Sequence, residues 1–238
     1  MSWMIPKYEF VETSPRRGYA MVLMLIGSIV ISFGGLIVRN IETADNWQIN
    51  FYRSIAFGTA ISIVLLLRYG KTGLQQFKGI GLQGVWAAML LACASISFLQ
   101  AITNTTVAAT TFTLSSIPFL TAIMAWLFLG ERIGKSTVFT MLVAAIGISL
   151  MFVQGLGSGT LFGNFMAFLC AIGFSSYAII IRRNRRLEML PTLILSNLII
   201  MLVALIFTWD NLLISWSDLL LCFILGGLLS ATVNTLFI

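Results

Sequence analysis

Along the chain, long uncharged apolar runs alternate with short polar clusters, and the runs are close to one another in length. Eight stand out, at about 18–38, 47–67, 84–102, 107–129, 136–154, 160–181, 191–208 and 219–237. A helix needs about 20 apolar residues to cross the hydrocarbon core of a bilayer, and these runs have that length. Inside hydrocarbon every backbone N–H and C=O has to be satisfied within the protein, which makes each run a predicted helix. The pattern predicts an all-α integral membrane protein of about eight transmembrane helices. Residues 1–17 precede the first run as a mixed leader, expected on the cytoplasmic side.

Composition confirms the class and charge orients it. Of the 238 residues 59% are hydrophobic and only 9% charged, where a soluble domain uses about 25% charged residues to cover its surface. The net charge of +6 suggests a nucleic-acid ligand at first sight, but its distribution argues against one. Lys7, Arg16, Arg17, Arg68, Lys71, Lys78, Arg132, Lys135, Arg182, Arg183, Arg185 and Arg186 hold twelve of the fourteen basic residues. All lie in the leader or in alternate loops, as cytoplasmic segments do, and not along one continuous face. Only Arg39 lies on the other side, and Arg53 lies within a run. An N terminus in the cytoplasm of a cell carrying the protein in its inner or plasma membrane is expected. Trp47, Trp209 and Trp216 stand at the external ends of runs, where aromatic belts form. The first run is as long as a full span and lacks a small-residue cleavage site, which argues against a removed signal peptide.

An internal duplication is superimposed on this pattern. Gly18-Tyr19-Ala20-Met21 can be laid on Gly163-Asn164-Phe165-Met166, and Leu90-Leu91-Ala92-Cys93 on Leu228-Leu229-Ser230-Ala231, after which span order and length keep step. Five spans, residues 18–154, form a first repeat, and residues 160–238 begin a second. Five is odd, so the second repeat enters the membrane from the opposite side and is inverted. Inverted repeats are typical of secondary transporters, whose substrate sites lie between the repeats near the midplane.

The segment from Ala101 to Lys135 carries a more specific pattern. It has a polar turn at Asn104-Thr105-Thr106, a mid-run Pro118, and an apolar end Leu127-Phe128-Leu129-Gly130-Glu131-Arg132. This string resembles the fourth transmembrane helix of the EamA family in the drug/metabolite transporter (DMT) superfamily. The resemblance implies a ten-span fold of two inverted five-helix units and a permease or exporter of small metabolites. On the alignment of the repeats Ile238 falls near the position of Gln100, so the second repeat is incomplete, with three spans. The chain is expected to be a truncated copy of a ten-span protein. A homodimer is left open.

Chemistry then narrows the function. With no histidine and with Cys93, Cys170 and Cys222 all inside apolar runs, no metal-ligand or disulfide spacing exists, and no cofactor or metal is expected. A membrane-embedded enzyme would need a positioned base, nucleophile or metal, and the sequence offers none. An inactive fragment and, less readily, such an enzyme are the alternatives to a carrier working by alternating access.

Arg53 is the one charge well inside a run. A buried charge is costly and usually faces a partner or a cavity, so it could anchor a carboxylate or phosphate of the substrate. EamA-type second spans often carry an arginine in this region, and the resemblance implies that role. The plainer reading is an arginine snorkelling outward toward Asp45 or lipid phosphates. With Arg53, the candidate substrate-binding residues are Gln48, Tyr52, Gln100, Asn104, Ser116, Tyr177 and Asn197, any of which could instead bind helix to helix. Pro118 is a candidate bend for gating, and Glu131 either a coupling carboxylate or a structural helix-end residue. A central polar cavity within spans one to four, six and eight is expected.

Overall fold

The structure, a computed structural model, describes residues 14–131, 133–155, 160–184 and 189–236. The helices are α1 (Ser14–Arg39), α2 (Asn46–Tyr69), α3 (Gly81–Asn104), α4 (Val107–Leu114), α5 (Ile117–Leu129) and α6 (Lys135–Gly155). They continue with α7 (Leu161–Arg183), α8 (Met189–Thr208), α9 (Trp216–Phe223) and α10 (Ala231–Leu236). A 3₁₀ segment, Gly70–Gly79, links α2 to α3. A π-helical turn, Ile224–Ser230, joins α9 to α10 into one span. Among the described residues seven helical stretches are long and apolar enough to cross a membrane. They coincide with seven of the predicted runs, and the fifth run forms α6.

The outer surface is that of a protein in lipid. Leu67, Leu82 and Ile206 are among the many large apolar side chains left open, which water would not tolerate in such number. Inside, the closest interface is α3 on α7, and both helices bury small residues along it. Ala87, Ala88, Ala92, Ala94 and Ala101 are buried on α3, and Gly163, Ala167, Ala171 and Gly173 on α7. At Gly173 an added Cβ would stand 2.8 Å from the Ala94 Cβ. Apolar attraction between helices is weak in lipid, so close van der Waals approach has to replace it. Around this pair, α8 packs on both α2 and α3, and the π-turn packs on α2. The helices α1 and α6 are peripheral.

The fourth run, expected as one helix, is two. Pro118 at the start of α5 would drive its ring into the carbonyl of residue i−4, which is Leu114, the last residue of α4. The interruption frees carbonyls that nearby hydroxyls satisfy. Ser115 Oγ donates to the Phe112 carbonyl, and Ser116 Oγ to that of Thr113, each at 2.6 Å. Ser175 Oγ of α7 donates to the Ile117 carbonyl at 3.2 Å. At the other end of α5, Gly130 takes a left-handed φ of 70°, and its N–H and that of Glu131 close the helix on Trp126 and Ala125.

Hydrogen bonds sort the chain ends of the helices onto two faces. On one, Asp218 of α9 accepts from the backbone N–H groups of Glu42, Thr43 and Ala44 and from the Thr43 hydroxyl. On the same face Arg39 donates to the Thr105 carbonyl, and Thr105 to Asn164. On the other, Glu131 and Arg182 form an exposed salt bridge at 2.8 Å. The α1–α2 and α3–α4 connections and the starts of α7 and α9 thus meet at one end of the bundle, and the ends of α5 and α7 at the other, as alternating spans require.

Candidate functional site

A cavity of about 280 Å³ lies in the middle of the bundle, lined from α1, α2, α3, α4, α7, α8 and the α9–α10 span. Its walls are mostly apolar, with Phe57, Phe98, Phe174, Leu193, Ile200, Leu225 and Leu229 prominent. Its polar groups are few: Arg53, Ser95, Ser196, Asn197, Ser230 and Asn234. A concave, mainly apolar space with a few convergent polar groups is the usual form of a small-molecule site.

Arg53 dominates its electrostatics. The residue lies two turns into α2 from Asn46, about 10 Å along the axis at 1.5 Å per residue. Its Nη2 donates to Ser95 Oγ at 2.8 Å and to Asn50 Oδ1 at 3.2 Å. The buried Nε has no hydrogen-bond partner. Among the described residues the only ion pair is Glu131–Arg182, so no carboxylate neutralises Arg53. The guanidinium is turned inward onto α3 and not outward onto Asp45. Gly226 of the π-turn explains how α2 is held there. A Cβ on Gly226 would stand 2.2 Å from the Arg53 carbonyl oxygen, so the two backbones touch at the residue that carries the charge. The π-turn belongs to this contact. Such turns are rare and often found at functional sites.

The predicted polar residues divide between the cavity and the periphery. Arg53 and Asn197 line the cavity together. Gln48 is buried at the end of the bundle that holds Asp218, where its amide donates to the Asn211 carbonyl at 2.6 Å and its oxygen caps α2 by accepting from the Asp45 N–H. The Tyr52 hydroxyl donates to the Leu212 carbonyl. Gln100 accepts from Asn46 Nδ2 at 3.0 Å. Asn104 is exposed and bonds back onto the Gln100 carbonyl of its own helix at 2.7 Å. Ser116 caps the break in the fourth span and borders a separate lateral cavity between α5, α6 and α7. Tyr177 is half-buried on α7 and does not line the central cavity. Pro118 and Glu131 sit at the helix break and in the salt bridge already described.

Four cavity residues were absent from the sequence reading: Ser95, Ser196, Ser230 and Asn234. Asp218, 2% exposed and holding three backbone N–H groups, was also missed. It lies one residue outside the predicted last run, and its partners are about 175 residues away in the chain. The one available signal was position, since Ser230 and Asn234 are spaced i, i+4 and share a helix face.

Residues 18–153 match the model of the EamA-like transporter family. No curated protein matches the chain. A solved crystal structure resembles it with a TM-score of 0.60 at 17% sequence identity, over 92% of this chain and 79% of that one. At that identity the likeness concerns the fold.

Proposed function

The chain belongs to the EamA-like transporter family, within the DMT superfamily, and we propose that it is a secondary carrier of small organic anions working by alternating access. The observation that carries this reading is Arg53, a cation facing a mid-membrane cavity with no acidic partner among the described residues and one donor unused. A charge held in low dielectric is retained where something pairs with it, and an anionic group of a substrate supplies that partner. Its planar fork suits a carboxylate or phosphate.

The inverted-repeat reading is supported by which helices touch. If α1, α2 and α3 are equivalent by a two-fold axis to α7, α8 and the α9–α10 span, contacts between the two units have to come in pairs. The α3–α7 contact needs a mate in α1 against the α9–α10 span, and the α3–α8 contact a mate in α2 against that span. Both mates are present, and α2–α8, its own mate, is as well. On this reading 18–154 and 160–238 are the two repeats, with the cavity between them. The bonds from Asp218, Gln48 and Tyr52 to neighbouring loops then close the external side. The basic loops put that side opposite the cytoplasm, with the N terminus inside.

Purified protein in liposomes, loaded with radiolabelled organic acids, tests this. Wild type is expected to exchange anionic substrates. Arg53→Lys should keep weak exchange, and Arg53→Ala should lose it while inserting normally, since a lost buried charge-assisted contact costs about 2–5 kcal/mol. Exchange by Arg53→Ala equal to wild type across the acids would remove Arg53 from the site.

A further inference from the structure

The polar groups of the cavity that lie away from Arg53 share a chemical sense. Asn197 Nδ2 donates to the Leu193 carbonyl at 2.9 Å, and Asn234 Nδ2 to the Ser230 carbonyl at 2.8 Å. Ser196 Oγ donates to the Leu193 carbonyl at 2.8 Å, and Ser230 Oγ to the Leu225 carbonyl at 2.7 Å. The amide assignment is required by geometry, because a flipped Asn would set two carbonyl oxygens against each other. The two hydroxyls have committed their protons to backbone and keep lone pairs for the cavity, while each amide keeps its oxygen and its second N–H. Neither amide oxygen receives a donor from the described residues.

These acceptors are displaced along the membrane normal from the cation. Arg53 is seven residues below the external end of α2, whereas Asn197 is eleven below that of α8 and Ser230 fourteen below that of the last span. At 1.5 Å per residue the offset is about 6–10 Å. Phe57, Phe98, Leu193, Leu225 and Leu229 line the same cavity. No Asp, Glu, Lys or second Arg lines it.

We infer that the cavity takes a singly charged organic anion with an apolar body and a neutral hydrogen-bonding group, such as a hydroxyl or an amide, at the end opposite the charge. The inference rests on Arg53 as the anion anchor. A second negative charge would find neutral groups but no cation to pair with at that end. An ammonium at that end would find acceptors but no counter-charge, leaving a net positive charge at low dielectric. A plain hydrocarbon tail would leave the acceptors desolvated and unpaired, which costs affinity. The set Ser196, Asn197, Ser230 and Asn234 is therefore specificity-determining.

Three acids of one shape make the test: phenylacetate, para-hydroxyphenylacetate and para-aminomethyl-phenylacetate, with binding to the full chain in nanodiscs measured by calorimetry. The hydroxy acid is expected to bind about tenfold or more tighter than phenylacetate, the loss expected when a buried acceptor goes unpaired. Asn234→Leu should erase that ratio while phenylacetate still binds, which shows the variant is folded. Asn234→Asp should shift preference to the aminomethyl acid. Equal binding of the first two acids by wild type, preference for the ammonium compound, or no binding of the hydroxy acid would each overturn the inference. The anchor is judged separately by Arg53→Ala. If that variant loses both acids while wild type binds them equally, the anchor stands and the neutral polar end does not.

Discussion

Gly226→Ala is the substitution with the largest consequence for its size. The added methyl would lie 2.2 Å from the Arg53 carbonyl oxygen, 3.0 Å from its carbonyl carbon and 3.1 Å from its Cγ. Carbon and oxygen in ordinary close contact stay about 3.3 Å apart. The π-turn and α2 therefore have to separate by about 1.1 Å, the difference between those two distances. Two backbones are involved, so no flexible side chain can absorb the strain. Overpacking of this kind costs about 1–3 kcal/mol, and a 1 Å misplacement of a positioning group costs enzymes about a hundredfold in rate. Gly227→Ala is the internal control. Its nearest neighbour is the Ala56 carbonyl oxygen at 3.5 Å, an ordinary contact, so the alanine should be neutral or, by reduced backbone entropy, stabilising by about 0.5–1 kcal/mol. Thermal unfolding in detergent and anion exchange in liposomes, normalised to inserted protein, measure both. Gly226→Ala should melt lower and exchange at least tenfold more slowly, with Gly227→Ala at or above wild type. Equal behaviour of the two alanines would sink the claim that this backbone contact positions Arg53.

Three further outcomes are expected. Asp218→Ala leaves the N–H groups of Thr43 and Ala44 without their acceptor; at about 1–3 kcal/mol for each unsatisfied group, its melting midpoint should fall below that of Asp218→Asn, and the reverse order would refute the clamp. Glu131→Gln breaks a salt bridge whose side chains are 53% and 42% exposed, so stability should change by less than about 1 kcal/mol and exchange by less than twofold; loss of exchange would make Glu131 a coupling carboxylate. In a background without Cys93, Cys170 and Cys222, single cysteines at Lys71 and Arg183 should resist an impermeant thiol reagent added outside intact cells, whereas one at Asp210 should react. Labelling of the first two from outside would invert the topology.

The hydrogen-bonded face at this end of the bundle gives the alternating-access proposal a physical cost. Opening that side has to release the bonds Asp218 receives from residues 42–44 and those that Gln48 and Tyr52 make to the loop at 211–213. All but the Thr43 hydroxyl bond involve backbone, all lie in partly buried places, and exchanging each for water costs only about 0.5–1.5 kcal/mol. The network can therefore hold the face closed without making opening prohibitive.

The number, length and positions of the spans were legible in the sequence because hydropathy over 20 residues is a local quantity. The break at Pro118 was legible in part for the same reason, since a proline acts on the carbonyl four residues back, but the sequence showed a bend where the structure has two helices. Arg53 was legible because one charge among apolar neighbours is conspicuous wherever the helix points. Which polar side chains face the cavity was not. These helices are apolar nearly all round, so periodicity marks no inward face. Gln48, Tyr52 and Gln100 turn to one end of the bundle and Ser230 and Asn234 turn to the cavity only because of how each helix is rotated against its neighbours. That rotation is settled by contacts far apart in the chain: Gly226 against Arg53, Gly173 against Ala94, and Asp218 against Thr43. No window of sequence contains both halves of any of them, so the contents of the site belonged to the tertiary structure alone.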